Sequence, residues 1–206
     1  MNNKKLNILY LKIAIAFILS FNFTFAQTKE SVFQQIKEKL SSLEQVSFNY
    51  QSIDNSAIKG KIIATKDNKY KLIFNGRIII SDGKSIWNYN AEEKQVLISN
   101  FSSKSSFQLQ TIFFEVINNT VPEELKEVTN SKSGEYWSLT LLSQKNKSDK
   151  FVLYLNPENL DIIQIIFTYE NINGNYKIFG FKINPKISNS EFIFKIPKGT
   201  EQIDLR

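Results

Sequence analysis

Between residues 77 and 101 the chain is built from short β-forming runs joined by turns that leave no room for anything except neighbouring antiparallel strands. Its centre is Ser81-Asp82-Gly83-Lys84-Ser85-Ile86-Trp87-Asn88-Tyr89-Asn90. Asp82-Gly83 separates the apolar run Ile78-Ile79-Ile80 from Trp87 and Tyr89, and Asp-Gly between two such runs signals a hairpin whose turn positions need positive φ. A second turn over 91–94 returns the chain into Val96-Leu97-Ile98. Three antiparallel strands in about 25 residues, with many aromatic and no catalytic-looking side chains, describe a wall facing something apolar.

The same grammar recurs along the chain. Residues 46–51 alternate Val46, Phe48 and Tyr50 with polar neighbours, the pattern of a strand with one dry face. After a turn at Asp54-Asn55-Ser56, residues 58–65 and 70–74 form a pair around Lys66-Asp67-Asn68-Lys69, with Tyr70, Leu72 and Phe74 on one face. Asn75-Gly76 is a further hairpin turn. Later strands are expected at 126–129, 136–142, 151–155, 162–170, 175–183 and 191–196. Their joints are at Lys132-Ser133-Gly134, Asn156-Pro157-Glu158-Asn159 and Asn173-Gly174, with a charged loop tip over 144–150.

Two segments carry helical spacing instead. Residues 31–43 place Val32, Ile36, Leu40 and Leu43 on one face, with Ser31 as the cap or just inside it. Residues 107–119, after a serine-rich loop, place Leu109, Ile112, Phe113, Val116 and Ile117 at helical intervals. Their phenylalanines and β-branched residues form helix poorly alone, so packing must hold them. Val121-Pro122-Glu123-Glu124 is expected to start another helical turn or a loop. The sum is about eleven or twelve strands and two or three helices in one domain, mainly β with helices (α+β). A sheet of that length must curl or close.

The N-terminus has Lys4, Lys5 and Lys12, an apolar run over 13–25, and Thr24-Phe25-Ala26 before polar Gln27. That is the layout of a cleavable secretory signal over 1–26, its apolar core being shorter than the roughly 20 residues of a membrane helix. Residues 27–206 are then the single mature domain. Cleavage removes three lysines and lowers the formal net charge from +6 by three, leaving too little and too scattered a charge for nucleic acid. The chain contains no Cys, which excludes disulfides, thiol chemistry and lipidation through an N-terminal cysteine. It also contains no His, the usual general base and metal ligand, and neither cofactor nor metal is expected.

The hairpin Ser-Asp-Gly-Lys-x-Ile-Trp-x-Tyr-Asn with Gln95-Val96 beyond it resembles that of the LolA-like periplasmic outer-membrane lipoprotein carrier family. Asn156-Pro157-Glu158-Asn159-Leu160, Gly174-Asn175-Tyr176-Lys177-Ile178 and the closing Phe192-Ile193-Phe194-Lys195-Ile196-Pro197-Lys198-Gly199 are similar to the family's pattern in the same order. The resemblance implies an unclosed antiparallel β-barrel of about 11 strands with a helical lid over a hydrophobic cavity. It also implies the function: a periplasmic chaperone and carrier that takes the acyl chains of triacylated lipoproteins from the inner to the outer membrane. Implied partners are an inner-membrane lipoprotein-releasing ABC transporter and an outer-membrane acceptor, the carrier itself being a monomer. In the family an arginine before a proline, after the second strand, holds the lid. Here Lys66-Asp67 stands at that place, a flexible point donor where the family has a five-donor fork.

The expected cavity lining is Ile36 and Leu40, Phe48 and Tyr50, Tyr70, Leu72 and Phe74, and Ile112, Phe113 and Val116, each of which an ordinary filled core would use equally well. Asp82, Gly83, Trp87 and Tyr89 mark the hairpin motif, the two rings belonging to wall or rim. Three other functions fit some of these features. One is a lipid- or lipoprotein-sensing regulatory module of the same architecture, and another is a structural β-protein with a filled core. An envelope enzyme is the third, and the pairs Glu92-Glu93 and Glu123-Glu124 argue against it. Adjacent carboxylates in turns lack the burial and opposition that two-carboxylate chemistry needs.

Overall fold

The computed structural model describes residues 27–101, 113–114, 117–130 and 134–206. Helix α1 (Lys29–Ser41) starts at Thr28, whose extended backbone lets its hydroxyl oxygen accept from the Ser31 N–H at 3.1 Å. Val32, Phe33, Ile36 and Leu40 form its buried face. Strands β1 (Gln45–Ser52), β2 (Lys59–Thr65), β3 (Lys69–Phe74), β4 (Arg77–Asp82), β5 (Ser85–Asn90) and β6 (Gln95–Asn100) then run as an antiparallel meander. A 3-10 turn at Ile117–Asn119 leads into a second meander. It comprises β7 (Thr120–Asn130), β8 (Gly134–Ser143), β9 (Lys150–Leu155), β10 (Ile162–Tyr169) and β11 (Ile172–Ile183). A second 3-10 turn at Asn189–Phe192 precedes β12 (Glu201–Asp204).

All the strands share one 12-stranded sheet in the order β12-β6-β5-β4-β3-β2-β1-β11-β10-β9-β8-β7. Among the described strands the two meanders pair where β1 meets β11, and β12 adds in parallel to β6. β7 and β12 are left as free edges, so the sheet is curled but unclosed.

The turns follow their chemistry. Asn75 and Gly76 both have positive φ, 42° and 75°, as a two-residue hairpin turn with matching twist requires. At the central hairpin only Gly83 does, with φ 90°. Asp82 ends β4 instead, and its Oδ1 accepts from the Lys84 and Ser85 N–H groups at 2.8 Å each.

Several expectations fail for physical reasons. Residues 121–124 begin β7 rather than a helical turn. Pro122 is tolerated there because β7 is an edge strand with a bulge between Pro122 and Glu124. The joint before β11 is Glu170-Asn171, with φ 48° and 66°, and not Asn173-Gly174. Gly174 lies within β11, where a Cβ would come 2.4 Å from Phe167 Cζ, so the glycine makes room for a ring laid across the strand. Residues 191–196 form the end of a 3-10 turn and an extended strap, not a strand. Among the described residues α1 is the one α-helix, and most of the second expected helix, 107–119, lies outside them.

Strand pairing sorts the side chains onto two faces. On the concave face, beneath α1, lie Val46, Phe48 and Tyr50 of β1, Ile62 and Ala64 of β2, Tyr70 of β3, and Leu139, Leu141, Phe151, Leu153, Leu155 and Ile165 of the second meander. The convex face of β2 to β6 carries a smaller core of Ile63, Ile80, Val96 and Ile98. Phe192 and Phe194 of the strap pack on that side.

Candidate functional site

The concave face has two unequal halves. Toward β11 it is filled: Phe48, Phe113 and Phe181 meet at ring-centroid separations of 5.0, 5.9 and 4.9 Å. A second aromatic series, Tyr50, Tyr176, Phe167 and Phe151, runs from β1 to β9 with separations of 5.6, 6.2 and 6.4 Å. These are ordinary distances for favourable offset and edge contacts. Toward β4 the face is only half covered. Leu72 and Phe74 of β3, Ile79 of β4, Ile86 of β5 and Leu97 of β6 are all half-buried along it.

Of the residues expected to line a cavity, Ile36, Leu40, Phe48, Tyr50, Tyr70 and Phe113 are buried in a single cluster, and Leu72 and Phe74 pack at its margin. Ile112 and Val116 lie outside the described residues. Burial, reinforced by the Tyr176 phenol, pushes the Tyr50 hydroxyl up to about 12, so the filled half of the concave face carries a neutral phenol. Trp87 and Tyr89 lie on the other side of the sheet. The pairs Leu72 to Ile79 and Ile79 to Asn88 place Asn88 on the concave face and its neighbours on the convex one, where Tyr89 packs at 5.6 Å from Phe194. Two-residue turns at Asn75-Gly76 and Gly83-Lys84 fix that parity, so strand counting was the signal available. Trp137 and Phe181 also border the concave core and had no distinguishing mark in the sequence.

Both ends of α1 are tied down by polar contacts. Lys29 Nζ donates to the Glu123 carbonyl of β7 at 2.9 Å. Lys39 Nζ reaches Asp161 Oδ1 at 2.6 Å and the Asn159 carbonyl at 2.8 Å in the β9 to β10 turn. Asn184, at φ 49°, accepts from the Glu44 and Gln45 N–H groups and donates to the Ser42 carbonyl, which seats the link from α1 to β1.

The described residues therefore present an open curled sheet, an amphipathic helix across its concave side, and an apolar inner face that is dense in one half and half-buried in the other. A model of the outer membrane lipoprotein carrier protein LolA matches residues 44–195. The chain belongs to the LolA family. The LolA-family relatives it resembles include the outer-membrane lipoprotein carrier protein of Francisella tularensis, 27% identical over 207 residues, covering 93% of this chain and 95% of that protein. The protein of the same name from Legionella pneumophila is 24% identical over 201 residues, with 87% and 91% covered. Among solved structures, an uncharacterized conserved protein from Thermus thermophilus shares the fold with TM-score 0.52 at 17% identity, covering 86% of this chain and 99% of that one.

In this LolA-family chain Lys66 stands just past β2, facing the link that follows α1. Its backbone N–H donates to the Glu44 carbonyl at 2.9 Å, and its Nζ lies 3.3 Å from Glu44 Oε1. Both side chains are largely exposed, which limits such a pair to about 0–1 kcal/mol.

Proposed function

We infer that this LolA-family protein is a lipoprotein carrier of the periplasm, delivered there by a cleavable signal over 1–26. In this reading residues 27–206 form one domain that shelters acyl chains beneath α1 and passes them from an inner-membrane donor to an outer-membrane acceptor. The observation that carries it is the concave apolar face that continues beyond the filled core, with Leu72, Phe74 and Ile79 half-buried beside the buried cluster. Family membership is the independent support.

The energetics fit reversible loading. Lifting α1 exposes Val32, Phe33, Ile36 and Leu40, at about 1.5–3 kcal/mol each, or roughly 6–12 kcal/mol in all. The polar ties at its ends add little by comparison. An acyl chain that places about ten methylenes against the opened face recovers about 8 kcal/mol. The protein's own apolar contacts are thus exchanged for cargo contacts at small net cost, which permits uptake and release without an energy source in the carrier itself. In this scheme Ile36, Leu40, Phe48, Tyr50, Tyr70, Leu72, Phe74, Ile112, Phe113 and Val116 touch cargo once the helix has moved. Lys66 is a weak latch, and Asp82, Gly83, Trp87 and Tyr89 hold the outer wall. The work is binding rather than catalysis.

The test is native mass spectrometry of the protein recovered from the periplasm of its host. Bound triacylated lipoprotein is the expected result, whereas free lipid alone, or no ligand at all under conditions that preserve known lipid complexes, would remove the carrier assignment.

A further inference from the structure

The convex face of the sheet at the junction of its two meanders is charged in one sense. The outward positions of β11, β1, β2 and β3 carry Lys177, Lys182, Lys59, Lys61, Lys69 and Lys71, and no carboxylate at all. Two of these lysines are neutralised locally. Lys69 pairs with Asp67 at 2.7 Å and Lys71 with Glu191 at 2.9 Å. Glu191 is held below the ordinary carboxylate range, chiefly by Lys71 and weakly by Lys61. Lys59, Lys61, Lys177 and Lys182 are exposed and make no ion pair with any described residue.

An exposed ring sits in their midst. Strand pairing sets Phe179 against Asn49 and Asn49 against Lys61, with Lys177 two residues before it. Phe179 is 50% exposed, and Ile73, opposite Lys61 on β3, is 39% exposed. Gly180, at φ 64°, follows Phe179 where the β1 to β11 register shifts, and such a bulge re-aims the side chain beside it.

We propose that this face docks on an anionic bilayer surface, the lysines meeting headgroup phosphates and Phe179 entering the interfacial layer. The chemistry favours a membrane over a protein partner. Lysines are flexible point charges suited to a diffuse field of phosphates, and juxtaposed basic clusters with an aromatic anchor are how peripheral proteins hold an anionic leaflet. Protein interfaces by contrast are depleted in lysine and enriched in arginine, and the patch contains no arginine. The proposal goes beyond the carrier function and stands on different residues, since every group it uses is on the opposite side of the sheet from the cavity.

Flotation of the protein, purified as its host processes it, with vesicles tests this. Phosphatidylethanolamine vesicles containing phosphatidylglycerol are compared with pure phosphatidylcholine, at low and at physiological salt. Expected are binding to the anionic vesicles alone, weakening as salt rises, and a loss of at least tenfold when Lys59, Lys61, Lys177 and Lys182 are all changed to glutamine. Phe179→Ser should lose a further few-fold. A matched set at Lys94, Lys145, Lys147 and Lys198 should change binding less than twofold, and unchanged melting temperatures show that each variant folds. Equal binding to phosphatidylcholine, full binding by the four-lysine variant, or no binding even at low salt overturns the proposal. Retention on an acidic polypeptide matrix without vesicle binding overturns it in favour of a protein partner.

Discussion

Phe113→Ala removes the ring that packs over β1 and β11 on the concave face. Phe113 is buried, with its ring centroid 5.0 Å from that of Phe48 and 4.9 Å from that of Phe181. Phenylalanine truncation in a core costs about 3–5 kcal/mol, and about 3–4 kcal/mol is expected here because the Phe48 and Phe181 rings can partly close the hole. For a domain of this size each kcal/mol is worth about 2–4 °C, so the melting temperature should fall by roughly 6–16 °C. The hole is apolar and shaped by two rings, the kind of space a fatty tail can occupy. An amphiphile with a dodecyl chain, held below its micelle concentration but at about 100 times its dissociation constant, should return about 2.7 kcal/mol. The gain should exceed that of the natural protein, which must first displace its own ring. Paired thermal melts with and without the amphiphile measure both quantities. A drop under about 2 °C would remove Phe113 from the packed core, and equal ligand gains would break the link between the aromatic cluster and the binding pocket.

Two further outcomes are expected. Gly60→Ala should destabilise by about 1–3 kcal/mol in denaturant melts, since a Cβ at that position would come 2.3 Å from the Ile73 carbonyl oxygen and 2.8 Å from Tyr50 Oη; a shift below about 0.5 kcal/mol would contradict this packing. In alkaline titration the natural protein minus Tyr50→Phe should show one phenol ionising near 12 rather than near its ordinary 10.0. Because the folded value is the higher one, the stability contributed by the neutral phenol is complete below pH 10 and lost as pH rises toward 12, so the substitution should flatten that loss.

Much of the architecture could be read from local patterns, because each short strand announces itself by alternation and each hairpin by its turn residues. Val46, Phe48 and Tyr50 fall on the buried face as their spacing requires. The misreadings came where packing from afar decided the outcome. Phe192-x-Phe194 alternates like a strand because the strap lies on the convex face of the sheet, with Phe194 against Tyr89, and no ladder is involved. β12 leaves little trace in the sequence because Glu201-Gln202-Ile203-Asp204 is an edge strand with one apolar residue, recruited by the backbone of β6. Gly174 looked like a turn residue when its purpose is to sit under a phenylalanine. In the pocket, composition predicted greasy residues but could not separate the packed half near Phe48 from the accessible half near Ile79, since both are written in the same aliphatic and aromatic alphabet.

The single seam between β1 and β11 sets the order in which this molecule can be completed. As the polypeptide emerges, the first meander can zip along its tight turns, yet its β1 border stays bare until residues more than 120 positions later arrive to cover it. The helix has no berth either, because its anchor points at Glu123, Asn159 and Asp161 belong to that later half. Contacts so distant along the backbone make closure slow. Residues 123 to 183 must therefore be delivered before the seam can close and the helix can be seated, which puts the finishing of the concave side late in synthesis.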